Sequence, residues 1–367
     1  MATNTNRLAS LDIFRGLTVA FMIIVNTPGS YNYAYAPLLH AKWHGCTPTD
    51  LVFPFFLFIV GISTFFSLKK YGGKINSEST IRILRRTILI FALGVVLNIF
   101  PYFITDYSAV RIMGVLQRIA LAYGIGAIIC LTVRRNFLWI VVAVLLLGYW
   151  ALMALCGGAT PFALETNFAL KVDLAVLGAS HLYQGFGIPF DPEGLLSTIP
   201  SVATVIIGYF IGGMINSEKR NSGNLLFKLI LLGASALGLG ILWGVVFPIN
   251  KALWTSSYVL YTAGLGMMVF ALIYFLADVL NFQKWGVFFT IFGTNPIFAY
   301  KLAGVWEKTM KAISIGDNLT LYSWLYEKVF APLVGNFNGS LLFAITQVLL
   351  VWVVTLVLYR KKVFIKL

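Results

Sequence analysis

The chain is predicted to be an all-α, polytopic integral membrane protein with about ten transmembrane helices and both termini cytoplasmic. Three observations carry this prediction. Of the 367 residues, 59% are hydrophobic and 11% charged, with a mean hydropathy of +0.86, whereas soluble domains carry about 25% charged residues. Ten apolar runs approach the ~20 residues that an α-helix needs to cross ~30 Å of hydrocarbon. They lie near residues 8–27, 51–68, 84–102, 110–132, 136–155, 195–215, 224–247, 254–280, 286–305 and 340–359. With the N-terminus inside, the inner segments hold 17 Lys and Arg against three acids, and the outer loops hold six against nine. This is the asymmetry expected when translocating basic residues is unfavourable.

The net charge of +14 therefore follows from topology, and nucleic acid is not an expected partner. A basic inner surface also attracts anionic cytosolic ligands. Cys46, Cys130 and Cys156 have no metal-ligand spacing, so no metal site is expected. No small-residue cleavage site follows the first run, and Asp12 and Arg15 interrupt it, so it reads as a retained span rather than a signal peptide. Without a repeat, low-complexity tract or soluble insert, residues 1–367 read as one transmembrane domain.

Taken in order, the first run places Asp12 and Arg15 three residues apart on one helical face. A charged pair at this depth either anchors the helix or binds a cofactor. The run ends at Asn26, before the helix-breaking Pro28 and Gly29. The loop that follows carries Tyr31, Tyr33, Tyr35 and Trp43 around His40, Lys42 and His44. Such aromatics serve as interfacial anchors or as faces for sugar rings. Asp50 opens the second run, near enough in sequence to orient a loop histidine or to cap its own helix.

The fourth run contains Arg111, Gln117 and Arg118, with the two arginines seven apart and so on one helical face. Either they pair with Asp12 or Asp106, or they line a polar cavity or bind phosphate. The long outer segment 156–194 holds Asp173, His181, Tyr183 and the turn DPEG, and loops of this length usually carry function or small elements of their own. Glycines in the sixth and seventh runs permit close helix packing. Asn250, Lys251, Trp254, Ser256 and Ser257 crowd a short outer turn, and Asn295-Pro296 interrupts the ninth run mid-membrane, where a broken helix lines a cavity or a kink simply bends it. Residues 319–334 form an interfacial amphipathic helix in this reading.

The string HAKWHGCTPTDLVFPFFLFIVG at 40–61, preceded by LDIFRG at 11–16 and VN at 25–26, resembles the heparan-α-glucosaminide N-acetyltransferase family and its bacterial relatives. RIMGVLQRIALAY at 111–123, FDPEGLLSTIP at 190–200, PINKALWTSS at 248–257 and GTNPIFAY at 293–300 extend the similarity over most of the chain, in order. The resemblance implies an acetyl group taken from cytosolic acetyl-CoA and delivered across the membrane to the amino group of a glucosamine-type sugar or short glycan outside. It places His40 at the family's catalytic histidine and Asn26 at its catalytic asparagine. The stretch between them is longer and less glycine-rich than in lysosomal members, His44 stands where those have asparagine, and the luminal segment before their first span has no counterpart here. The resemblance further implies a homodimer and, for a bacterial source, the cytoplasmic (inner) membrane.

A neutral histidine suits deprotonation of an amine or service as an acetyl-carrying nucleophile. The Asn26 amide suits stabilisation of the developing oxyanion, and Asp50 suits orientation of the His40 ring. Arg15, Arg118, Gln117 and Asn295 are the candidates for holding acetyl-CoA. Trp43, His44, His181, Lys251 and Trp254 are those for the sugar. Two rival readings are a membrane O-acyltransferase modifying a surface polysaccharide, which shares the LD-x-x-RG opening, and a solute transporter, which fits the spans and intramembrane charges.

Overall fold

The computed structural model describes residues 8–101, 107–218, 223–316 and 319–365. The apolar runs form helices because each is long and its backbone groups must bond within the segment once water is excluded. In chain order these are α1 (Ala9–Asn26), α2 (Val52–Leu68), α3 (Ser77–Ile99), α4 (Val115–Thr132), α5 (Leu138–Cys156), α6 (Phe168–Leu177), α7 (Thr198–Ser217), α8 (Gly223–Trp243), α9 (Ser256–Tyr274), α10 (Val287–Thr294), α11 (Pro296–Ala312), α12 (Leu321–Leu325), α13 (Ala331–Val334) and α14 (Asn336–Arg360). Among the described residues, strand is confined to a two-residue hairpin pairing Ser314–Ile315 with Leu319–Thr320.

Eight helical stretches among the described residues are long and apolar enough to cross a membrane, against the ten runs read from sequence. Both differences have physical causes. α3 has 23 residues, but its first half carries Arg82, Arg85 and Arg86. The ninth run is two helices, α10 and α11, separated at Asn295, whose φ of −133° and ψ of 53° leave the helical region. Pro296, which lacks an N–H, begins the second. The segment from Leu321 to Val334 is helical throughout, with a π turn at Tyr326–Phe330.

α1, α4 and α7 are the inner helices, with 67%, 67% and 78% of their apolar windows buried, whereas α5, α8 and α14 are only 22%, 22% and 33% buried. The outer set exposes Trp139, Leu147, Leu155, Leu242, Leu349 and Val353, side chains suited to acyl chains. Packing inside relies on small residues, since helices in lipid gain most from close backbone approach. A methyl group on Gly61 of α2 would lie 2.1 Å from the Val205 carbonyl oxygen of α7, and one on Gly16 of α1 would lie 1.7 Å from the Phe289 oxygen of α10.

Two end contacts fix the bundle where the chain enters and leaves it. The Asp278 carboxylate accepts from the backbone N–H groups of Ala9 and Ser10 at 3.3 and 3.0 Å, capping α1 where its N–H groups lack helical partners. Asn295 binds the chain after α14: its Nδ2 donates to the Val363 carbonyl at 3.0 Å, and its Oδ1 accepts from the Ile365 N–H at 2.8 Å. The eight residues of α10 advance about 12 Å at 1.5 Å each, and the chain after α14 reaches back to Asn295 at that level. There the helix break serves the tail.

A Gly61→Ala substitution forces α2 away from α7 and is expected to cost about 1–3 kcal/mol of stability. A lowered thermal midpoint of the detergent-solubilised protein, with helical content retained by circular dichroism, is the measurement that checks it.

Candidate active site

α1 ends at Asn26 and α2 begins after Pro48–Leu51, so residues 27–47 lie at one end of the bundle, opposite Lys69, Lys70 and the start of α3. Asp50 is the fixed point of this loop. It sits in a capping box, with its Oδ2 accepting from the Thr47 N–H and hydroxyl, both at 3.0 Å, and from the Ala41 N–H at 3.0 Å. Its Oδ1 lies 2.6 Å from His40 Nδ1. The carboxylate thus caps the helix and holds the histidine together. With Asp50 ionised, Nδ1 carries the proton and Nε2 is left with its lone pair. The His40 side chain is 49% exposed and Asp50 is fully buried.

Lys251 comes from the turn between α8 and α9. Its Nζ is 3.1 and 3.2 Å from the two His40 ring nitrogens and 3.8 Å from Asp50 Oδ1. Near-equal distances to both nitrogens place the ammonium against the ring rather than along either lone pair. Burial lowers the Lys251 pKa, opposed by the charges of Asp50 and Glu193. The two loops are stitched together by the Gly45 N–H donating to the Ile249 carbonyl at 2.8 Å and by His44 Nδ1, 3.3 Å from Asn250 Nδ2. Asn250 in turn accepts from the Leu253 N–H at 2.8 Å through its side chain. His44 therefore joins the two loops and does not line the site.

His40, Asp50, Lys251, Asn26 and Trp43 share one cavity of about 560 Å³. A second lobe of about 410 Å³ adjoins it and is bounded by Gln117, Asn98, Glu307 and Lys308. Asn26, Tyr31, Arg111, Tyr183 and Tyr300 wall both lobes. Trp43 is held by its indole N–H donating to the Phe162 carbonyl at 2.8 Å and by edge contacts with Phe186 and Phe190.

Arg111 is not on the α4 face shared with Arg118. The chain is extended there, and the helix starts at Val115, after Gly114. The guanidinium is drawn instead to the DPEG turn, donating to both Asp191 oxygens at 2.8 Å and to Glu193 at 2.6 Å. Asp106, one partner considered for it from sequence, lies outside the described residues. Tyr183, Tyr300, Asp191 and Glu193 gave no periodic or spacing signal of function, although Tyr183 and the DPEG acids stood out in the long outer loop.

The remaining candidates are placed elsewhere. Trp254 is buried, not on the cavity wall; its ring packs against Phe53 and Tyr258 and lies 5.2 Å below the Arg118 guanidinium. Arg118 is itself fully buried, donating to the Gly194 carbonyl at 3.0 Å and to the Ser197 hydroxyl. His181 Nδ1 is 2.7 Å from the Val110 carbonyl and ties down the segment before α4. Arg15 donates to Asp12 at 3.3 Å, to the Gly293 carbonyl at 3.2 Å and to Ser63 Oγ at 2.6 Å. Gln117 Nε2 donates to the Ile112 carbonyl at 2.9 Å at the edge of the second lobe, so the four residues considered for holding acetyl-CoA, Arg15, Arg118, Gln117 and Asn295, lie in separate hydrogen-bond sets. Among the described residues no group of His, Cys, Asp and Glu is arranged to hold a metal.

The fold and site define a multi-pass membrane protein with a histidine–carboxylate pair, backed by a lysine, in a polar cavity at one end of its bundle. The chain belongs to the heparan-alpha-glucosaminide N-acetyltransferase family, whose catalytic-region model matches residues 7–241. It is similar to the human heparan-alpha-glucosaminide N-acetyltransferase, 28% identical over 419 aligned positions covering 98% of this chain and 60% of the relative, and to the mouse protein, 27% identical over 357 positions covering 81% and 53%. The chain thus spans between half and two thirds of the length of these curated relatives.

Asp173 on α6 offers a pH test of the polar layer behind the cavity. Burial raises its carboxyl to about 7 from 3.8, partly offset by the Leu195 N–H and the charge of Arg118. Because the folded-state value is raised, the folded protein binds the extra proton. Its stability contribution is full below pH ~4 and is lost as pH rises through ~7. The thermal midpoint is expected to fall between pH 5 and 8, and Asp173→Asn is expected to flatten that fall.

Proposed function

We propose that this chain transfers an acetyl group from acetyl-CoA, entering from the cytosolic side of the cell's inner membrane, to the amino group of a glucosamine-type sugar on the outer side. The observation that carries the reading is the 2.6 Å contact of His40 with buried Asp50 inside the polar cavity, in a chain of this family. The names of the human and mouse relatives supply the acceptor class. The basic end of the bundle, with Lys69, Lys70 and α3's arginines, is the cytosolic face in this reading, and His40 lies at the opposite end.

The acceptor amine loses a proton to His40 Nε2 as its nitrogen bonds to the thioester carbonyl carbon. The carbonyl oxygen gains charge, and the Asn26 amide on the same wall is the donor proposed to stabilise it. When the carbon–sulfur bond breaks, the thiolate takes the proton from His40, giving the N-acetyl sugar and free CoA. Asp50 keeps Nδ1 as the protonated nitrogen throughout, so that Nε2 is the base on each cycle. Lys251 balances the Asp50 charge beside the ring and is proposed to steer the acceptor. Trp43, Tyr31 and Tyr183 provide flat faces for the sugar.

Purified protein in lipid nanodiscs is expected to convert glucosamine and acetyl-CoA to N-acetylglucosamine, with product followed by mass spectrometry. His40→Ala should reduce this rate at least 100-fold, and Asp50→Asn should do so while leaving the thermal midpoint rise on adding acetyl-CoA in place. Full activity of His40→Ala would remove the histidine from the chemistry. Acetylation of a hydroxyl in preference to the amine would favour O-acyl transfer.

A further inference from the structure

α3 turns two of its charges away from the bundle. Its inner face meets α4, where Ile83 joins the cluster of Tyr123, Ala127 and Leu131, Thr87 faces Gly124 and Gly94 faces Gln117. The opposite face is a stripe of exposed apolar side chains, Ile81, Leu84, Ile88 and Val96. Arg82 and Arg85 stand among them in the first turns, and both are exposed. Arg86 turns the other way, with its guanidinium 4.6 Å from the centre of the Tyr123 ring and its Nε buried.

Among the described residues neither Arg82 nor Arg85 has a bonded partner. The acid of this segment, Glu78, is already taken: it accepts from the Tyr71 hydroxyl at 3.2 Å and pairs with Lys70 at 3.5 Å. The 23 residues of α3 make a helix about 35 Å long, little more than the ~30 Å of hydrocarbon. Arg82 and Arg85 stand about 8 and 12 Å from its start, within reach of the boundary where lipid phosphates lie, because long basic side chains extend toward that level. Placed three residues apart, the two guanidinium groups are close enough to grip one phosphate. A soluble anion would satisfy the cations and leave the apolar stripe bare. A zwitterionic lipid would cover the stripe but bring a cation of its own. A phospholipid with net negative charge meets both demands.

We propose that the outward face of the first turns of α3 binds an anionic phospholipid, its phosphate between Arg82 and Arg85 and its acyl chains along Ile81, Leu84 and Ile88. The site stands apart from the acetyl-transfer reading and holds whatever reaction the cavity performs. It bears on the cavity through the helix itself. The other end of α3 walls the second lobe with Gly94, Leu97 and Asn98, and Asn98 Nδ2 donates there to the Arg111 and Met113 carbonyls at 2.8 and 3.2 Å. α3 rests chiefly on α4, so a lipid gripped at one end steadies the lobe wall at the other.

Native mass spectrometry of the delipidated protein with added phosphatidylglycerol or phosphatidylcholine counts bound lipids and subunits together. Phosphatidylglycerol is expected to be retained roughly tenfold more tightly. The double variant Arg82→Gln/Arg85→Gln should lose that preference. Lys361→Gln/Lys362→Gln, which removes the same charge from the exposed stretch after α14, should keep it. Equal retention of the two lipids, a preference that survives Arg82→Gln/Arg85→Gln, or a preference lost alike in both double variants overturns the site. Should the thermal midpoint show the first double variant to be misfolded, Arg85→Gln alone replaces it, with an expected loss of roughly threefold. Displacement of phosphatidylglycerol by millimolar acetyl-CoA would give the arginines to a soluble anion. A changed subunit number with unchanged lipid retention in the arginine variant would give the face to a second copy of the chain. Either result overturns the lipid site.

Discussion

The Asp50 carboxylate is the interaction on which the rest of the site depends. It is withdrawn from solvent and takes four hydrogen bonds, one from His40 and three from Thr47 and Ala41. An ionised carboxylate in such a place is tolerated only when its oxygens are filled in this way. Each bond fixes something: the entry into α2, the course of the loop at Ala41, and the tautomer of His40. The Tyr258 hydroxyl of α9 donates to the Asp50 carbonyl at 2.5 Å, so the same residue also registers α2 against α9. A single buried charge thereby couples helix packing to the orientation of the ring that faces the cavity.

A second constraint is charge balance. Two of the cations that wall the first cavity are matched where they stand, Arg111 by Asp191 and Glu193 and Lys251 by Asp50, while Lys42 on the same wall is exposed to solvent. The Lys308 ammonium is committed to the Leu97 and Phe100 carbonyls at the end of α3. Such pairing lowers the cost of holding ions beside an apolar bundle. It also leaves the walls polar without a large net field.

Much of this was legible in sequence, and the limits follow from what sequence encodes. Helices were readable because membrane spanning demands length and apolarity at once, and the break at Asn295-Pro296 because proline cannot continue the helical bonding. His40 and Asp50 were readable together because they sit ten residues apart in one loop, with Asp50 at a helix start. Lys251 stood out only as an excess of polarity in a short turn; its contact with His40 bridges 211 positions. Arg111 was misplaced because seven-residue spacing implies a shared face only while the helix persists, and the helix begins after Gly114. Trp254 and His44 were assigned to the sugar on residue type, whereas Trp254 supports Arg118 and His44 holds Asn250. Asn295 was read as cavity polarity because nothing local reveals that the tail returns to it.

The placement of Arg118 shows how far the cavity end of the bundle is supported from below. Its guanidinium is fully buried, its Nε and one terminal nitrogen have no bonded partner among the described residues, and its face lies on the Trp254 ring. A cation in that position is stabilised by the ring's electron-rich face and by the nearby carboxylates Glu193, Asp191 and Asp173 rather than by a full set of hydrogen bonds. It thus sits under the same DPEG turn that Arg111 grips from the cavity side. Two arginines of one segment hold one acidic turn from opposite sides, one at the cavity and one in the bundle. The turn is thus tied from two sides, and its Pro192 and Glu193 line the same cavity as His40.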